Sequence, residues 1–151
     1  MLLGTGSING TGNALPNLLT GNGSNNTLSG GGRDDLLNGL GGADVLIGGA
    51  GHDTFDIDPE GPQHNVFSRD EIRDFTKGDQ IDLSTIDANW TVSGDQKFTF
   101  VQTFNTSNAA GQLRFDAAHH LLLGSTDRDI TPEFSILISG VSKMTSFDFV
   151  L

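Results

Sequence analysis

The chain has 151 residues, a formal net charge of −11 and no cysteine. That length suits one compact unit or two small ones, and the missing cysteines exclude disulfides and thiol nucleophiles. The acidic balance argues against nucleic acid or an anionic membrane surface as partner, since both call for basic patches. The sequence has no transmembrane run, and it predicts no N-terminal signal peptide because its first basic residue is Arg33. Repeat-like sequence directly after Met1 leads us to expect the tail of a longer protein.

Residues 1–11 are repeat-like in composition but out of phase, and we interpret them as a degenerate coil. Residues 12–56 are five consecutive nonapeptides without insertion. Position one is glycine, position six is asparagine or aspartate, and position eight is large and apolar. In copy order these residues are Gly12, Gly21, Gly30, Gly39 and Gly48; Asn17, Asn26, Asp35, Asp44 and Asp53; and Leu19, Leu28, Leu37, Leu46 and Phe55. Three positions kept in phase indicate a repeat architecture rather than a flexible linker.

Each nonapeptide divides into a turn and a strand. Glycine-rich positions one to six favour a turn whose carbonyl groups can point inward, and positions seven to nine favour a short strand. One apolar residue per strand buries little surface alone, so the units must stack. Two copies complete one coil, which places Asn17, Asp35 and Asp53 along one edge and Asn26 and Asp44 along the other.

Carboxylates stacked at the strand spacing of about 4.8 Å would repel each other without a cation between them. A hard cation with six to eight oxygen ligands resolves this repulsion, and calcium fits better than magnesium, which requires a tight octahedron. Zinc is disfavoured because the turns lack cysteine and carry almost no histidine. The pattern Gly-Gly-x-Gly-x-Asp-x-hydrophobic-x resembles the haemolysin-type (RTX) calcium-binding repeat. The resemblance implies a right-handed parallel β-roll with several Ca²⁺ ions along its edges.

The candidate metal ligands are positions one, two, four and six of every copy. They are Gly12, Asn13, Leu15, Asn17, Gly21, Asn22, Ser24, Asn26, Gly30, Gly31, Arg33, Asp35, Gly39, Leu40, Gly42, Asp44, Gly48, Gly49, Gly51 and Asp53. Sites are expected between the turns of Asn17 and Asp35, Asn26 and Asp44, and Asp35 and Asp53. The two asparagine copies offer a neutral oxygen instead of a bridging carboxylate, so weaker sites are expected there.

Residues 57–151 form the second predicted unit. Fifteen of the 21 glycines lie at or before Gly51 and no aromatic residue precedes Phe55, so only this part can build an aromatic core. The sequence predicts a loop at 57–65, a β-hairpin at 70–84 around Lys77-Gly78-Asp79, a single helical turn at 84–88, and strands at 97–104, 112–116, 120–123 and 134–138. We expect an antiparallel β cap over the open end of the roll.

Several segments of this unit resemble the C-terminal domain of serralysin-type secreted proteases. They are Ile72-x-Asp74-Phe75, Gly78-Asp79-x-Ile81-Asp82-Leu83-Ser84, Leu113-Arg114-Phe115-Asp116 and Asp148-Phe149-Val150-Leu151. The resemblance implies that Asp70 and Asp79 add calcium ligands beside the last turns. It also implies that Asp148, Phe149, Val150 and Leu151 are an uncleaved type I secretion signal. The family usually has an aspartate- and glycine-rich loop before its penultimate strand. The corresponding loop at 124–129 lacks the second glycine, and we assign no calcium to it.

Catalytic motifs are not found. Nothing matches His-Glu-x-x-His or Gly-x-Ser-x-Gly. The sequence therefore predicts an all-β, non-catalytic module for calcium-dependent folding and type I secretion, attached to an upstream passenger domain and secreted to the cell exterior. Two alternatives remain open, a polysaccharide-binding roll and a structural spacer of an adhesin. The first would need a basic, aromatic groove, and the repeats offer only Arg33.

Overall fold

The computed structural model describes residues 4–58 and 69–151. These residues contain thirteen strands: β1 Gly10–Thr11, β2 Leu18–Thr20, β3 Thr27–Gly32, β4 Leu36–Asn38, β5 Val45–Ala50, β6 Thr54–Asp56, β7 Glu71–Ile72, β8 Gln80–Asp82, β9 Thr99–Val101, β10 Gln112–Asp116, β11 Leu121–Ser125, β12 Phe134–Ile138 and β13 Phe149–Val150. The one helical element among the described residues is the 3-10 turn Ser146–Asp148. The predicted all-β class is confirmed.

The first eight strands alternate between two sheets. Strands β1, β3, β5 and β7 are neighbours in an eight-stranded sheet, and β2, β4, β6 and β8 are neighbours in a five-stranded sheet. All these neighbours are parallel, and Leu28 pairs with Leu46 while Leu37 pairs with Phe55. The chain therefore passes from one sheet to the other at every turn, which is the predicted parallel β-roll.

Position eight of the repeats supplies the core of the roll. Leu28, Leu37, Leu46 and Phe55 have no solvent exposure, whereas Leu19 on the edge strand β2 is partly buried. One side chain per strand from each sheet fills the space between the sheets because successive side chains of a strand point to opposite faces. The outward neighbour Leu36 is 37% exposed.

The predicted hairpin at 70–84 is wrong. Strand β7 pairs in parallel with β5 and β12, whereas β8 pairs in parallel with β6 and β13 in the other sheet. The turn at Lys77-Gly78-Asp79 therefore connects the two sheets and adds one more coil to the roll. Alternation with period two identifies a strand but not the direction of its partner.

The remaining strands extend both sheets. Strands β10, β11 and β12 form an antiparallel meander, in which β10 and β12 have the predicted bounds and β11 lies at 121–125 instead of 120–123. Strand β9 pairs in parallel with β10, and β13 in parallel with β8. The expectation of a wholly antiparallel cap is therefore wrong for β9 and β13. Strand β13 instead continues the parallel pairing of the roll strands. Residues 84–88 form a turn closed by Ile86 N–H donating to the Leu83 carbonyl (3.0 Å).

The C-terminal part has the aromatic core that its composition predicts. Phe98 and Phe134 meet edge to face with centroids 5.6 Å apart, and Phe100 and Phe149 lie 5.1 Å apart. These residues join the buried position-eight side chains in one cluster. The predicted loop at 57–65 lies outside the described residues from residue 59 onward. The division at residue 56 stays a prediction, and both sheets continue across it.

Candidate metal centre

The position-six residues form a ladder along each edge of the roll. On one edge Asn17 N–H donates to Asp35 Oδ1 (2.7 Å), Asp35 N–H to Asp53 Oδ1 (2.9 Å), and Asp53 N–H to Asp79 Oδ1 (2.9 Å). Asn17, Asp35 and Asp53 each also accept a bond at the backbone carbonyl, as when Thr54 N–H donates to the Asp35 carbonyl (2.8 Å). The predicted alignment of Asn17, Asp35 and Asp53 is present.

The opposite edge repeats this arrangement. Asn26 N–H donates to Asp44 Oδ1 (2.7 Å), and Asp44 N–H donates to Asp70 Oδ1 (2.8 Å). Asp70 and Asp79 thus occupy the next steps of the two ladders, beside the last turns as the resemblance implied. The steps from Asp44 and Asp53 span 26 residues, whereas the earlier steps span 18.

Asp35 and Asp53 each use Oδ1 for the ladder hydrogen bond and keep Oδ2 for another ligand, whereas Asp79 uses both of its oxygens. Asp35 and Asp53 are 2% and 1% exposed, and their Oδ2 atoms are buried without a hydrogen-bond partner among the described residues. A buried carboxylate oxygen without a donor is costly unless it is protonated or bound to a cation. These two atoms therefore fit a metal ligand.

The glycines at position one make room beside the same oxygens. A Cβ atom built on Gly30 would overlap Asp35 Oδ2 and lie 2.7 Å from the Gly48 carbonyl oxygen, and one on Gly48 would overlap Asp53 Oδ2. The turn therefore brings a carboxylate oxygen and a carbonyl oxygen together where a side chain would sit. Oxygen atoms of these two kinds are what Ca²⁺ takes in proteins.

The charges on this edge oppose one another in the absence of a cation. Burial raises the pKa of Asp53, and the carboxylates of Asp79, Asp35 and Asp74 raise it further, against the hydrogen bond from Asp35 N–H, which lowers it. The raised pKa shows that the charged form of Asp53 is destabilised by its surroundings. A bound cation would reverse that effect.

The asparagine copies differ from the aspartate copies. Asn17 Oδ1 accepts from Asn13 N–H (2.8 Å) and Asn26 Oδ1 from Asn22 N–H (2.8 Å), so these amide oxygens are satisfied within their own turns. Asn22 Nδ2 donates to the carbonyls of Gly4 and Gly6 (both 3.1 Å). An amide here binds carbonyl oxygens of the first coil, as a cation would elsewhere.

Two predicted ligand positions have strained backbones. Arg33 at position four has φ 71° and Leu40 at position two has φ 64°, whereas Gly31, Gly42 and Gly49 at these positions have φ values of 111°, 106° and 100° without a Cβ atom. In copies three to five, positions two and four thus take positive φ, which explains the preference for glycine there. Arg33 and Leu40 keep the turn at a cost in conformational energy.

Sequence reasoning missed Asp74. Its Oδ1 accepts from Gly48 N–H (2.9 Å) and its Oδ2 from Gly49 N–H (2.8 Å). The carboxylate thereby ties the chain after β7 to the start of the fifth turn. Asp74 belongs to the Ile72-x-Asp74-Phe75 segment, but it lies outside the nonapeptide repeats, so no periodicity in the sequence connects it with Gly48.

A second acidic cluster lies away from the roll. One carboxylate oxygen from each of Asp127, Asp129 and Glu133 lies within 4.8 Å of the others. Burial raises the pKa of Glu133, with the charges of Asp127 and Asp129 adding to the rise and the Thr126 N–H bond lowering it. The sequence assigned no calcium to the loop at 124–129, and Glu133 lies beyond that loop, at the start of the return into β12.

The predicted secretion signal is folded into a sheet. Asp148 ends the 3-10 turn, Phe149 and Val150 form β13 against β8, and Phe149 is 6% exposed. The tail therefore takes the strand conformation expected of a short apolar C-terminus, whatever its part in export.

Fold and turns together define a parallel β-roll whose edges carry oxygen ligands for hard cations. Residues 11–151 match the family described as Peptidase M10 serralysin C terminal, and the chain belongs to that family. A comparison with curated proteins finds no match. The family is a non-catalytic C-terminal domain of serralysin-type proteins, typically binds calcium, and implies a secreted protein. Within the described residues, no helix has the length and apolar character needed to cross a membrane.

Proposed function

We propose that this chain is a calcium-dependent folding and type I secretion module of a larger secreted protein. The observation that carries the proposal is the pair of buried Oδ2 atoms of Asp35 and Asp53, which lack hydrogen-bond partners among the described residues. They recur one coil apart on the same edge, and each lies in the space that a Cβ atom would occupy if Gly30 or Gly48 had one. Repetition in phase with the coils favours a row of cations over chance burial.

The residues that would hold Ca²⁺ are the ladder carboxylates and the turn carbonyls next to them. Asp35, Asp53 and Asp79 would serve one edge, and Asp44 and Asp70 the other. The cation supplies charge neutralisation between successive coils. The ladder carboxylates orient the turns, since each fixes the backbone N–H of the preceding coil.

This arrangement makes folding dependent on the cation. Without it, buried like charges and the entropy of glycine-rich turns oppose a core with one apolar side chain per strand. Extracellular calcium sites bind with dissociation constants of roughly 10⁻⁴–10⁻³ M. Binding to the folded state alone then stabilises it by mass action outside the cell.

Disorder at low calcium suits passage through a type I export channel. The Asp148-Phe149-Val150-Leu151 tail would be available to the apparatus while the chain is unfolded, because β13 forms only with β8. After export, the folded roll would template an upstream passenger domain. The chain's acidic balance and the single Arg33 in its repeats give no support to polysaccharide binding.

Calcium titration of the metal-stripped chain tests the folding part. We expect isothermal calorimetry to show several ions bound cooperatively, and far-ultraviolet dichroism to change from coil to β over the same range. The double variant Asp35→Asn/Asp53→Asn should lose bound ions and need about tenfold more calcium to fold. Asp95→Asn, which removes an exposed carboxylate that belongs to neither ladder, is the control. Full β structure in chelator would refute the proposal.

Export needs a separate test. In a host with a type I apparatus, replacing the last four residues with serine should abolish appearance of the chain in the medium. The purified variant's dichroism in calcium shows whether its folding is also impaired. Undiminished export of this variant would refute the assignment of the tail as the signal.

A further inference from the structure

The first described turn of the roll, residues 4–6, stacks on the turn of the second nonapeptide, residues 21–26. All three carbonyl groups of residues 4–6 accept hydrogen bonds from side chains of that nonapeptide. Asn22 Nδ2 donates to the first and the third of these carbonyls (both 3.1 Å), and Ser24 Oγ donates to the second (2.9 Å). Carbonyl oxygens are ligands that Ca²⁺ takes in proteins, but here side-chain donors bind them.

The later copies have no side chain at the corresponding place. A Cβ atom built on Gly49, at position two of the fifth nonapeptide, would lie 2.2 Å from the Gly31 carbonyl oxygen of the preceding coil. Position two thus faces the position-two carbonyl of the coil before it, and glycine puts no side-chain atom there. In the second nonapeptide Asn22 occupies position two, and its side chain reaches the carbonyls that a glycine would leave to another ligand.

The Asn22 amide is buried and bonded at both of its ends. Asn22 is 7% exposed. Its Oδ1 accepts from Ser24 N–H (3.0 Å) and from Asn26 Nδ2 (3.2 Å). Because Oδ1 faces two donors while Nδ2 faces two carbonyls, the hydrogen bonds decide which end of the amide meets the first turn. A buried side chain with this many partners is held in one orientation.

This step of the roll also lacks the negative charge that marks the aspartate copies. Asp34 is the first acidic residue of the sequence, and the second nonapeptide has Asn26 at position six. Both polar atoms of the Asn26 side chain are bonded to Asn22, whereas Asp53 has a buried Oδ2 without a hydrogen-bond partner among the described residues. The first turn and the second nonapeptide therefore present no charge for a cation to neutralise.

We propose that the Asn22 amide takes the place of a calcium ion between residues 4–6 and residues 21–26. The row of ions on this edge then starts one coil later, in the direction of Asp44. The proposal rests on the calcium-binding role proposed above, and it names a step of the roll that does not load. Ser24 completes the substitution by binding the remaining carbonyl. Since an amide is neutral, it closes this step without adding to the calcium requirement of the roll.

Asn22→Ala tests whether the amide holds the first turn. In saturating calcium we expect amide hydrogen exchange of residues 4–12 to become at least about tenfold faster. Native mass spectrometry should count as many bound calcium ions as in the parent chain. Asn25→Ala is the matched control, because Asn25 lies in the same turn but its Oδ1 accepts from Ala43 N–H of the following coil (2.9 Å). Its exchange over residues 4–12 should stay within about twofold of the parent.

Asn22→Asp tests whether a cation fits the same place. The substitution turns a carboxylate oxygen toward the two carbonyls that the amide binds, and converging oxygens repel one another unless a cation joins them. We expect one additional bound calcium ion, and exchange of residues 4–12 that now depends on calcium. Asn25→Asp adds the same charge three residues away and keeps an acceptor for Ala43 N–H. This control should bind the same number of ions as the parent.

Three results would overturn the proposal. One ion fewer in Asn22→Ala would show that a cation occupies this step in the parent. Unchanged exchange in that variant would show that the amide does not hold the turn, and no additional ion in Asn22→Asp would show that the place does not suit a cation. Failure of the folding proposal is a separate result, because it appears in the parent as dichroism that does not depend on calcium.

Discussion

The coils of residues 12–56 and the meander of β10–β12 contribute to one core in different ways. Each roll strand contributes a single inward side chain, such as Leu37 or Leu46, and its turns bury carboxylates. The meander buries Leu113, Leu122 and Ile136 beside paired phenylalanines, and β12 alone buries three apolar side chains. Apolar burial drives the meander, whereas the roll has little apolar surface to offset its buried charge. The comparison teaches that one core can join a region rich in apolar burial to a region whose buried charge calls for a counter-charge.

Calcium removal is the largest expected effect, and it would separate the two regions. In excess chelator, hydrogen exchange measured by mass spectrometry should reach completion within seconds for peptides covering β3–β6, while peptides covering β10–β12 keep part of their protection. Magnesium in place of calcium is the control and should not restore protection of the roll. Simultaneous loss of protection in both regions would show that they form one cooperative unit.

Gly30→Ala should weaken calcium binding although it adds only a methyl group. The added Cβ atom would overlap Asp35 Oδ2, so we expect calcium affinity to fall by about tenfold, or roughly 1.4 kcal/mol. Calorimetric titration measures the loss. Gly23→Ala makes the same change where no atom lies within 4 Å, and an equal loss there would show that glycine flexibility rather than space matters.

Arg33→Gly should stabilise the calcium-loaded chain. At φ 71° the arginine backbone is strained, and relief of that strain less the entropy of glycine leaves a gain of about 0.5–1 kcal/mol. Scanning calorimetry should show a Tm rise of about 2–4 °C. Arg33→Gln removes the charge but keeps the Cβ atom, so a rise of the same size in that variant would place the cause in electrostatics.

Asp56→Asn should have the smallest effect, and it depends on pH. Burial raises the pKa of Asp56, and the carboxylates of Asp58 and Asp82 raise it further, while the Asn38 amide lowers it. A raised folded pKa contributes stability below the ordinary value of 3.8 that is lost as pH rises through the folded value. The variant avoids this loss, so its Tm should exceed that of the parent by about 1–2 °C at pH 7 and converge with it near pH 4. A constant offset at all pH values would contradict this account, and Asp95→Asn is the control.

The features that could be predicted from the sequence are those that recur with the nonapeptide period. The alignment of Asn17, Asp35 and Asp53 follows from two nonapeptides per coil, and the burial of position eight follows from the alternation of a strand. Strands β10 and β12 were predicted at their observed bounds because each is an apolar run with a clear turn signal at either end.

Features that depend on distant pairing were not predictable. Nothing local distinguishes a hairpin at 70–84 from two strands that enter different sheets, since the partner strands lie 26 residues upstream. Asp74 acts through Gly48 and Gly49, and Glu133 joins Asp127 only when the chain folds back. No periodicity records such contacts, so they become visible only in three dimensions.

The 26-residue step in both ladders shows that the spacing between coils is set by hydrogen-bond geometry and not by the number of residues between them. Asp44 and Asp53 reach Asp70 and Asp79 at 2.8 and 2.9 Å, as in the 18-residue steps. Chain can therefore be added between two coils without altering the stacking above or below. Segments of different length can thus join successive coils while the metal-binding edges keep their register.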